Sequence, residues 1–497
     1  MSVEQQFSAY VKRMMNYGEA LNLMFWDLRT GAPKNGVEQR SEVISQLSAD
    51  IFNMSTSEEM RRYLEELEQQ EGLSEKTRKT VAECRKEYDR NKKIPESEYR
   101  EYVKLQAKSE SMWETAKEQS DFEVFRPYLE QIVAYKKKFI DYWGYEGYRY
   151  NTLLDMYEPG MTVEVLDRVF GELRERIVPL VQRIAASGKK LKTEPLLAYF
   201  PTEEQKAFSL ELLKQLNYNF NAGRLDTTVH PFAITLNPGD VRITTKYDEY
   251  DFRTAVFGTI HECGHAVYEQ NISADLIGTP LCDGTSMGIH ESQSLFFENF
   301  IGRNKKFWEK NYSLLKEFAD GQFDDVTLDE FYDAINESKP SFIRIEADEL
   351  TYALHIMVRY ELEKALFDGS LEVRDLPSVW NEKMEEYLGI VPPNDAKGVL
   401  QDVHWSGGDF GYFPSYALGY MYAAQLKQAM LRDIPHFDAL LAEGNVMPIR
   451  EWLTEKVHRF GKLKQPLEIL RDTTGEGLTA AYLADYLEEK YTNIYEL

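Results

Sequence analysis

Apolar residues return at helical spacing through the first 140 residues of the chain. They group at Tyr63, Leu64 and Leu67, and again over 122–133, among many Glu, Lys, Arg and Gln residues. Breakers such as Gly31-Ala32-Pro33 and Ile94-Pro95 divide this pattern into separate helices. We therefore predict a series of helices over 1–140, and the same pattern continues over 145–220.

One segment departs from this pattern. Residues 226–247, DTTVHPFAITLNPGDVRITTKY, alternate apolar and β-branched residues with polar ones, and Asn237–Asp240 supplies a turn. The segment predicts a β-hairpin, and a period of two places Asp240, Arg242 and Thr244 on one side of its second strand. The alternative for that side is an exposed polar edge. Helical patterns resume after the hairpin, so the predicted fold is mostly α with a small β-sheet.

Charge and composition narrow the class of protein. The 497 residues include 83 acidic and 58 basic ones, for a net charge of −25, and 43% are hydrophobic. This composition is that of a folded chain, and its negative charge disfavours nucleic acid and anionic membranes as partners. Three cysteines favour a reducing compartment. With no apolar signal core or spanning segment, we expect a cytoplasmic protein.

The segment that follows the hairpin contains candidate metal-binding and catalytic residues. Residues 251–271, DFRTAVFGTIHECGHAVYEQN, predict a helix on which His261 and His265 lie one turn apart. Two imidazoles at this spacing can converge on one metal ion at about 2.0–2.1 Å each, and Glu262 can take the proton of a metal-bound water. This is the H-E-x-x-H signature of zinc peptidases. The alternative is a pair of surface histidines on a helix.

Two glycines lie inside this helix, Gly258 and Gly264. A glycine in a helix interior costs about 1 kcal/mol relative to alanine. We therefore expect close backbone packing or access at these two positions.

A catalytic zinc needs a third protein ligand and one open position. Glu291 lies 26 residues after His265, which leaves room for a loop and a returning helix. We favour Glu291 as that ligand, with His290 or Glu298 as alternatives. A third histidine of the metzincin type is excluded because His265 is not followed by x-x-G-x-x-H. Imidazole and carboxylate ligands also accept Co²⁺ or Mn²⁺.

Two further segments have an unusual composition for surface helices. Residues 340–367 predict one long helix with Arg344, Asp348, Thr351 and His355 on a stripe that faces a polar cavity; the alternative is a buried structural Arg–Asp pair. If the protein reads the terminal carboxylate of a peptide, the forked guanidinium of Arg344 is our first candidate and Arg242 our second.

Residues 398–425 are rich in aromatic residues and glycine, and they include His404, Tyr412, Tyr416 and Tyr420. The hydroxyl groups of these tyrosines could donate to a developing oxyanion. The alternative for each tyrosine is a core position with a satisfied hydroxyl.

Five motifs in order, together with His230-Pro231-Phe232, resemble those of the carboxypeptidase Taq family of metallocarboxypeptidases. They are D-x-R-x-T at Asp240–Thr244, H-E-x-x-H at His261–His265, H-E-S-Q at His290–Gln293, [IV]-R-x-x-A-D at Ile343–Asp348 and G-x-x-Q-D-x-H-W at Gly398–Trp405. The resemblance covers the catalytic half closely, whereas the N-terminal region resembles the family in length and helical character only.

The resemblance implies a two-lobed helical zinc peptidase, similar to neurolysin and angiotensin-converting enzyme, with a deep central groove and a small β-sheet beside the H-E-x-x-H helix. It implies one peptidase unit over 1–497, in which 1–140 caps the groove and 141–497, with hairpin 226–247, is catalytic. It also implies a cytoplasmic homodimer that removes single C-terminal residues from peptides with broad specificity and disfavours C-terminal proline.

The implied site residues carry over by position. They are His261, His265 and Glu291 for Zn²⁺, Glu262 as general base, Tyr412 and His404 for the oxyanion, and Arg344, Arg242, His230 and Asp240 for the substrate. Two other functions remain open at this point. One is an oligoendopeptidase or dipeptidyl carboxypeptidase with the same zinc site, and the other is a non-catalytic helical scaffold that binds peptides.

Overall fold

Helices form most of the chain, as the hydrophobic pattern predicts. The computed structural model describes residues 1–497. Nine helices precede the sheet: α1 Val3–Thr30, α2 Val37–Ser55, α3 Glu58–Glu68, α4 Glu75–Lys92, α5 Glu96–Gln119, α6 Phe122–Trp143, α7 Arg149–Tyr157, α8 Val163–Ser187 and α9 Thr202–Gln215.

Twelve helices follow the sheet, and the sequence that bears the candidate site lies among them. They are α10 Arg253–Gln270, α11 Met287–Leu295, α12 Lys305–Phe318, α13 Leu328–Ile335, α14 Tyr352–Asp368, α15 Leu376–Leu388, α16 His404–Gly407, α17 Pro414–Asp433, α18 Phe437–Glu443, α19 Met447–Lys456, α20 Pro466–Thr474 and α21 Ala481–Tyr495. No helix is both long enough and apolar enough to cross a membrane.

Helices α1, α3 and α4 enclose a small apolar core of their own. It is separate from the main core, which runs from α5 to the C-terminal helix, and consists of Phe7, Val11, Met14, Met60, Tyr63, Leu64, Leu67, Val81, Cys84 and Tyr88. Helix α1 extends from this core to the sheet. There the Asn22 side chain donates to the carbonyl oxygen of Thr235 (2.8 Å), and Trp26 packs edge-on against Phe232.

The sheet has three strands in the order β1-β3-β2, where β1 is Leu225–Thr227, β2 is Ala233–Asn237 and β3 is Asp240–Thr245. Strands β2 and β3 are antiparallel around the expected turn, which confirms the predicted hairpin. Strand β1, which pairs parallel with β3, was not predicted because three residues are too short to show alternation. The buried side of β3, with Val241 and Ile243, packs against α10 and so fixes the sheet beside the H-E-x-x-H helix.

Helix α11 lies between α10 and α17 with unusually close backbones. A Cβ atom at Gly264 of α10 would lie 2.6 Å from the Cα atom of Ser294, and one at Gly419 of α17 would lie 2.7 Å from the Cβ atom of Glu291. Close packing is therefore confirmed at Gly264. It is not found at Gly258, where a Cβ atom would meet nothing within 4 Å.

The prediction of one helix over 340–367 is wrong. Residues Arg344–Glu346 form a 3-10 turn and α14 begins only at Tyr352. Asp348 explains the break, because its buried carboxylate accepts from the backbone N–H groups of Leu350 (2.9 Å) and Thr351 (3.0 Å). A side chain that bonds to the backbone in this way competes with a continuous helix. Arg344, Asp348, Thr351 and His355 therefore do not form a helical stripe.

Candidate metal centre and active site

Three of the predicted metal ligands meet where α10 and α11 face each other. The candidate ligand atoms of His261, His265 and Glu291 all lie within 4.8 Å of one another. Nε2 of His265 is 3.6 Å from Oε2 of Glu291, and Nε2 of His261 is 4.0 Å from Oε1. Ligands at about 2.0–2.2 Å around a tetrahedral ion stand roughly 3.3–3.6 Å apart. Two imidazoles and one carboxylate thus fit a divalent metal with little adjustment.

Glu298, an alternative third ligand, contacts the far side of His261. One of its oxygens lies 2.9 Å from Nδ1 of His261, and the other accepts from Nη2 of Arg303 (3.1 Å). Burial favours the neutral acid, but the hydrogen bond with His261 and the charge of Arg303 lower the pKa of Glu298 to about 2. A charged carboxylate here fixes the Nδ1–H tautomer of His261 and leaves Nε2 free for the metal.

His290, the other alternative, lies behind His265. Its Nδ1 is 2.6 Å from Nδ1 of His265, and its Nε2 is 2.9 Å from a carboxylate oxygen of Glu269. With Nε2 of His265 facing Glu291, its Nδ1–H donates to His290, and the Nε2–H of His290 donates to Glu269. Glu269 is not among the site residues predicted from the sequence. The available signal was its position on α10, one turn after His265.

Glu262 opens onto the same cavity as the three candidate ligands. Its side chain belongs to α10, and the residue is only 8% exposed. Burial raises the pKa of Glu262 to about 7. A carboxyl group of this kind can take up and release a proton near neutral pH.

The cavity has a volume of about 660 Å³, within the range of ligand-binding clefts. Its lining includes the three cluster residues, Glu262 and Arg344. The remaining lining residues are Pro231, Phe232, Ala233, Met287, His290, Leu295, Glu298, Asn299, Arg303, Ile345, Ala347, Asp348, Glu349, Tyr352, Tyr412, Tyr416 and Tyr420.

Arg344 is held at the cavity wall by the segment 398–405. Its Nε and Nη2 atoms donate to Oδ1 of Asp402 at 3.0 and 2.8 Å, and its backbone N–H donates to Oε1 of Gln401 (2.8 Å). The guanidinium group also lies 5.1 Å from the ring centre of Tyr416. Arg344 therefore reaches the site without the predicted helix. Contacts between the motif at Ile343–Asp348 and the motif at Gly398–Trp405 hold it there.

Four predicted site residues lie outside the cavity lining. Arg242 makes a two-pronged ion pair with Asp240 (2.8 and 2.7 Å), and its guanidinium lies 5.6 Å from the ring centre of Trp26. His230 is exposed in the loop before β2. His404 lies behind Tyr412, with ring centres 5.5 Å apart, and burial lowers its pKa to about 4.

The tyrosines of α17 and its preceding loop differ in their contacts. Tyr420 donates its hydroxyl to buried Glu349, which also pairs with Lys490, so it is a core residue with a satisfied hydroxyl. The ring of Tyr412 packs edge-on against Tyr157 (5.0 Å) and Tyr416 (5.2 Å) in the cavity wall. Tyr412 is therefore the better placed of the two for contact with a substrate.

His458 is fully buried. Its Nε2 lies 2.9 Å from the side-chain oxygen of Gln293, the last residue of the H-E-S-Q motif. The charged residues around His458 in the sequence concealed this long-range contact.

Comparison with known proteins agrees with this geometry. A family model described as "Carboxypeptidase Taq (M32) metallopeptidase" matches residues 6–491. The chain is 61% identical to carboxypeptidase 1 of Bacillus subtilis (strain 168), with 99% of both chains covered. It is 41% identical to thermostable carboxypeptidase 1 of Thermus thermophilus, with 95% of both chains covered.

Solved structures show the same fold. The crystal structure of the M32 carboxypeptidase from Deinococcus radiodurans R1 is 34% identical, covers 100% of both chains and has a TM-score of 0.97. Together the helical fold, the small sheet and the cluster define a metal-dependent peptidase. The chain belongs to the carboxypeptidase Taq (M32) family and is a metal-dependent carboxypeptidase.

Proposed function

We propose that this carboxypeptidase releases single C-terminal amino acids from peptides with a zinc-activated water. The observation that carries the proposal is the shared cavity, which is lined by the cluster, by Glu262 and by Arg344. An exopeptidase needs both a hydrolytic centre and a group that reads the free terminus. Two arginines line this cavity, and Arg303 is already paired with Glu298, so Arg344 is the one we assign to the second requirement.

His261, His265 and Glu291 are the proposed metal ligands, with Glu298 and the His290–Glu269 pair as their supports. Zn²⁺ is the proposed ion because two imidazoles and a carboxylate with one open position are typical of catalytic zinc, and Co²⁺ or Mn²⁺ can replace it. When bound, the ion lowers the pKa of its water towards 7 and polarises the scissile carbonyl.

Glu262 is the proposed general base. It accepts the proton of the attacking water and passes it to the leaving amine, a role for which a buried carboxyl group with a raised pKa is suited. The hydroxyl of Tyr412 donates to the oxyanion that develops on the carbonyl oxygen. His404, which packs behind Tyr412, supports that ring instead of contacting the substrate.

Substrate binding is assigned first to Arg344, which pairs with the terminal carboxylate. Strand β2 lies at the edge of the sheet, and Phe232 and Ala233 line the cavity, so an extended peptide can pair with this strand. His230, Asp240 and Arg242 lie further out, and we propose that they hold the hairpin in position beside the substrate.

The proposal also covers the architecture, oligomeric state, localisation and specificity of the protein. The chain forms one peptidase unit in two lobes, as in neurolysin and angiotensin-converting enzyme, and residues 1–140 cap the groove above residues 141–497. We propose a cytoplasmic homodimer without nucleic acid or membrane partners, in keeping with the net charge of −25. Its specificity is broad and disfavours C-terminal proline, whose missing N–H and rigid ring alter the scissile bond.

The test is digestion of a mixed-sequence peptide of about ten residues, followed over time by mass spectrometry. We expect a ladder that loses one C-terminal residue per step and stops when a chelator removes the metal. A peptide with the same sequence and an amidated C-terminus serves as the control and should resist. Steps of two residues or internal cuts would instead assign a dipeptidyl carboxypeptidase or an oligoendopeptidase, and no cleavage with any divalent metal would leave a peptide-binding scaffold.

A further inference from the structure

Asp402, the residue that holds Arg344, also holds a second arginine. Arg359 of α14 is 0% exposed; its Nε donates to Oδ2 of Asp402 (2.7 Å), and its Nη2 lies 2.5 Å from the same oxygen. Arg344 uses the other oxygen, Oδ1. One carboxylate thus lies between two guanidinium groups, one at the cavity wall and one behind it.

Arg344, Asp402 and Arg359 form a triad whose charges do not cancel. Asp402 alone would neutralise Arg344 and leave it with little attraction for a substrate carboxylate. With Arg359 included, two positive charges and one negative charge leave a net charge of +1. His355 adds none, since burial and the two arginines lower the pKa of its imidazole to about 3. Glu363, one turn after Arg359, is turned towards Tyr150, Trp405 and the backbone of Gly411.

The triad is also rigid. The Arg359 guanidinium stacks 4.6 Å from the ring centre of Trp380, and both arginines lie over Phe413, at 5.3 and 5.4 Å. The segment that carries Asp402 is anchored from α5, where Trp113 donates to the carbonyl oxygen of Leu400 (3.0 Å) and Lys117 to that of Gln401 (2.8 Å). A fixed guanidinium loses little side-chain entropy when it binds a carboxylate.

We propose that Asp402 and Arg359 are positioning residues for recognition of the substrate C-terminus. Asp402 fixes the fork of Arg344, and Arg359 restores the positive charge that this fixation removes. The inference rests on the proposed function of Arg344, which it deepens. Neither residue touches the substrate, so both act only through Arg344.

A charge-rescue experiment tests the proposal. Arg359→Met reduces the net charge of the triad to zero, and we expect KM for a peptide with a free C-terminus to rise roughly 10- to 30-fold, with a smaller change in kcat. The double variant Arg359→Met/Asp402→Asn returns the net charge to +1 and should recover most of that loss. If the two residues were only structural, the double variant would be at least as impaired as Arg359→Met, and this result would overturn the proposal.

Three comparisons keep the outcome interpretable. Arg359→Lys retains the charge and should stay within a few-fold of the unmodified enzyme; damage equal to that of Arg359→Met would refute the charge argument even if Met disturbs folding. Arg176→Met removes an arginine of α8 that pairs with Asp485 and Glu488 of α21 and does not line the cavity, and it should leave KM unchanged. Inhibition by matched dipeptides with a terminal carboxylate or amide should show the Arg359→Met loss for the carboxylate only.

A different experimental result would refute the proposed role of Arg344 itself. If Arg344→Met weakens inhibition by the carboxylate and the amide dipeptide equally, then Arg344 does not read the terminus. If Arg344→Met is selective for the carboxylate but the double variant shows no rescue, the role of Arg344 stands and the inference about Arg359 and Asp402 is refuted.

Discussion

The close approach of α10 and α11 at Gly264 makes the metal centre sensitive to one methyl group. Alanine at this position would bring its Cβ to 2.6 Å from Ser294 Cα and 2.8 Å from the carbonyl carbon of Gln293. Both neighbours are backbone atoms, so no side chain can rotate away. The two helices must separate instead, and α11 carries Glu291 whereas α10 carries both histidines.

The required separation follows from the contact distances. Ordinary van der Waals contact of a Cβ atom begins at 3.4 Å, so Ser294 and residue 264 must move apart by about 0.8 Å. Metal–ligand distances tolerate only about 0.2 Å. We therefore expect Gly264→Ala to lower metal affinity at least tenfold. Overpacking costs about 1–3 kcal/mol, and the higher helix propensity of alanine offsets about 1 kcal/mol of it.

Gly258→Ala is the matched control, because it lies on the same helix and its added methyl group meets no atom within 4 Å. It should raise stability by up to about 1 kcal/mol and leave metal affinity unchanged. Metal affinity is measured by competition with a chromophoric chelator, and stability by denaturant unfolding of the metal-free protein. If Gly264→Ala binds metal as tightly as Gly258→Ala does, the helix contact does not set the ligand geometry and the reasoning is refuted.

The other predictions concern the side chains around the cluster. Glu262→Gln should bind metal normally and lower kcat by about 10²–10⁴, and an active, metal-replete Gln variant would contradict its role as base. Glu269→Ala should weaken metal binding about 10- to 100-fold through loss of the hydrogen bond that orients His290 and His265; unchanged affinity in the chelator assay would show that this pair does not support the site. Tyr412→Phe should lower kcat about 100-fold with little change in KM, whereas Tyr420→Phe, its control, should change stability more than kcat.

Local patterns explain which parts of this molecule could be predicted. The i, i+4 spacing of His261 and His265 predicts a metal site because both residues lie on one helix, and alternation over 233–245 predicts the hairpin. Motif resemblance supplied Glu291, which local spacing alone left open. The observed helix within 340–367 does not include Arg344, because the carboxylate of Asp348 accepts hydrogen bonds from the backbone of its own turn. The spacing of hydrophobic residues does not predict such bonds.

The remaining contacts join residues that are distant in sequence. Asp402 and Arg359 are 43 residues apart, and His458 reaches Gln293 across 165 residues. No repeating pattern of hydrophobic and polar residues specifies such pairs, since each depends on how helices pack. Glu269 is the exception, because it lies one turn beyond His265 on the motif helix and could have been considered from the sequence.

The metal-ligand cluster and Arg344 are each oriented by a carboxylate that is paired with an arginine. At the cluster, Glu298 orients His261, and its negative charge is compensated by Arg303. At Arg344, Asp402 orients the guanidinium group, and its negative charge is compensated by Arg359. Each orienting carboxylate would by itself weaken the positive field that attracts a peptide's oxyanion or terminal carboxylate. An arginine paired with each carboxylate keeps the geometry fixed without that loss. Arg303 lines the cavity and Arg359 does not, and removal of either should weaken substrate binding.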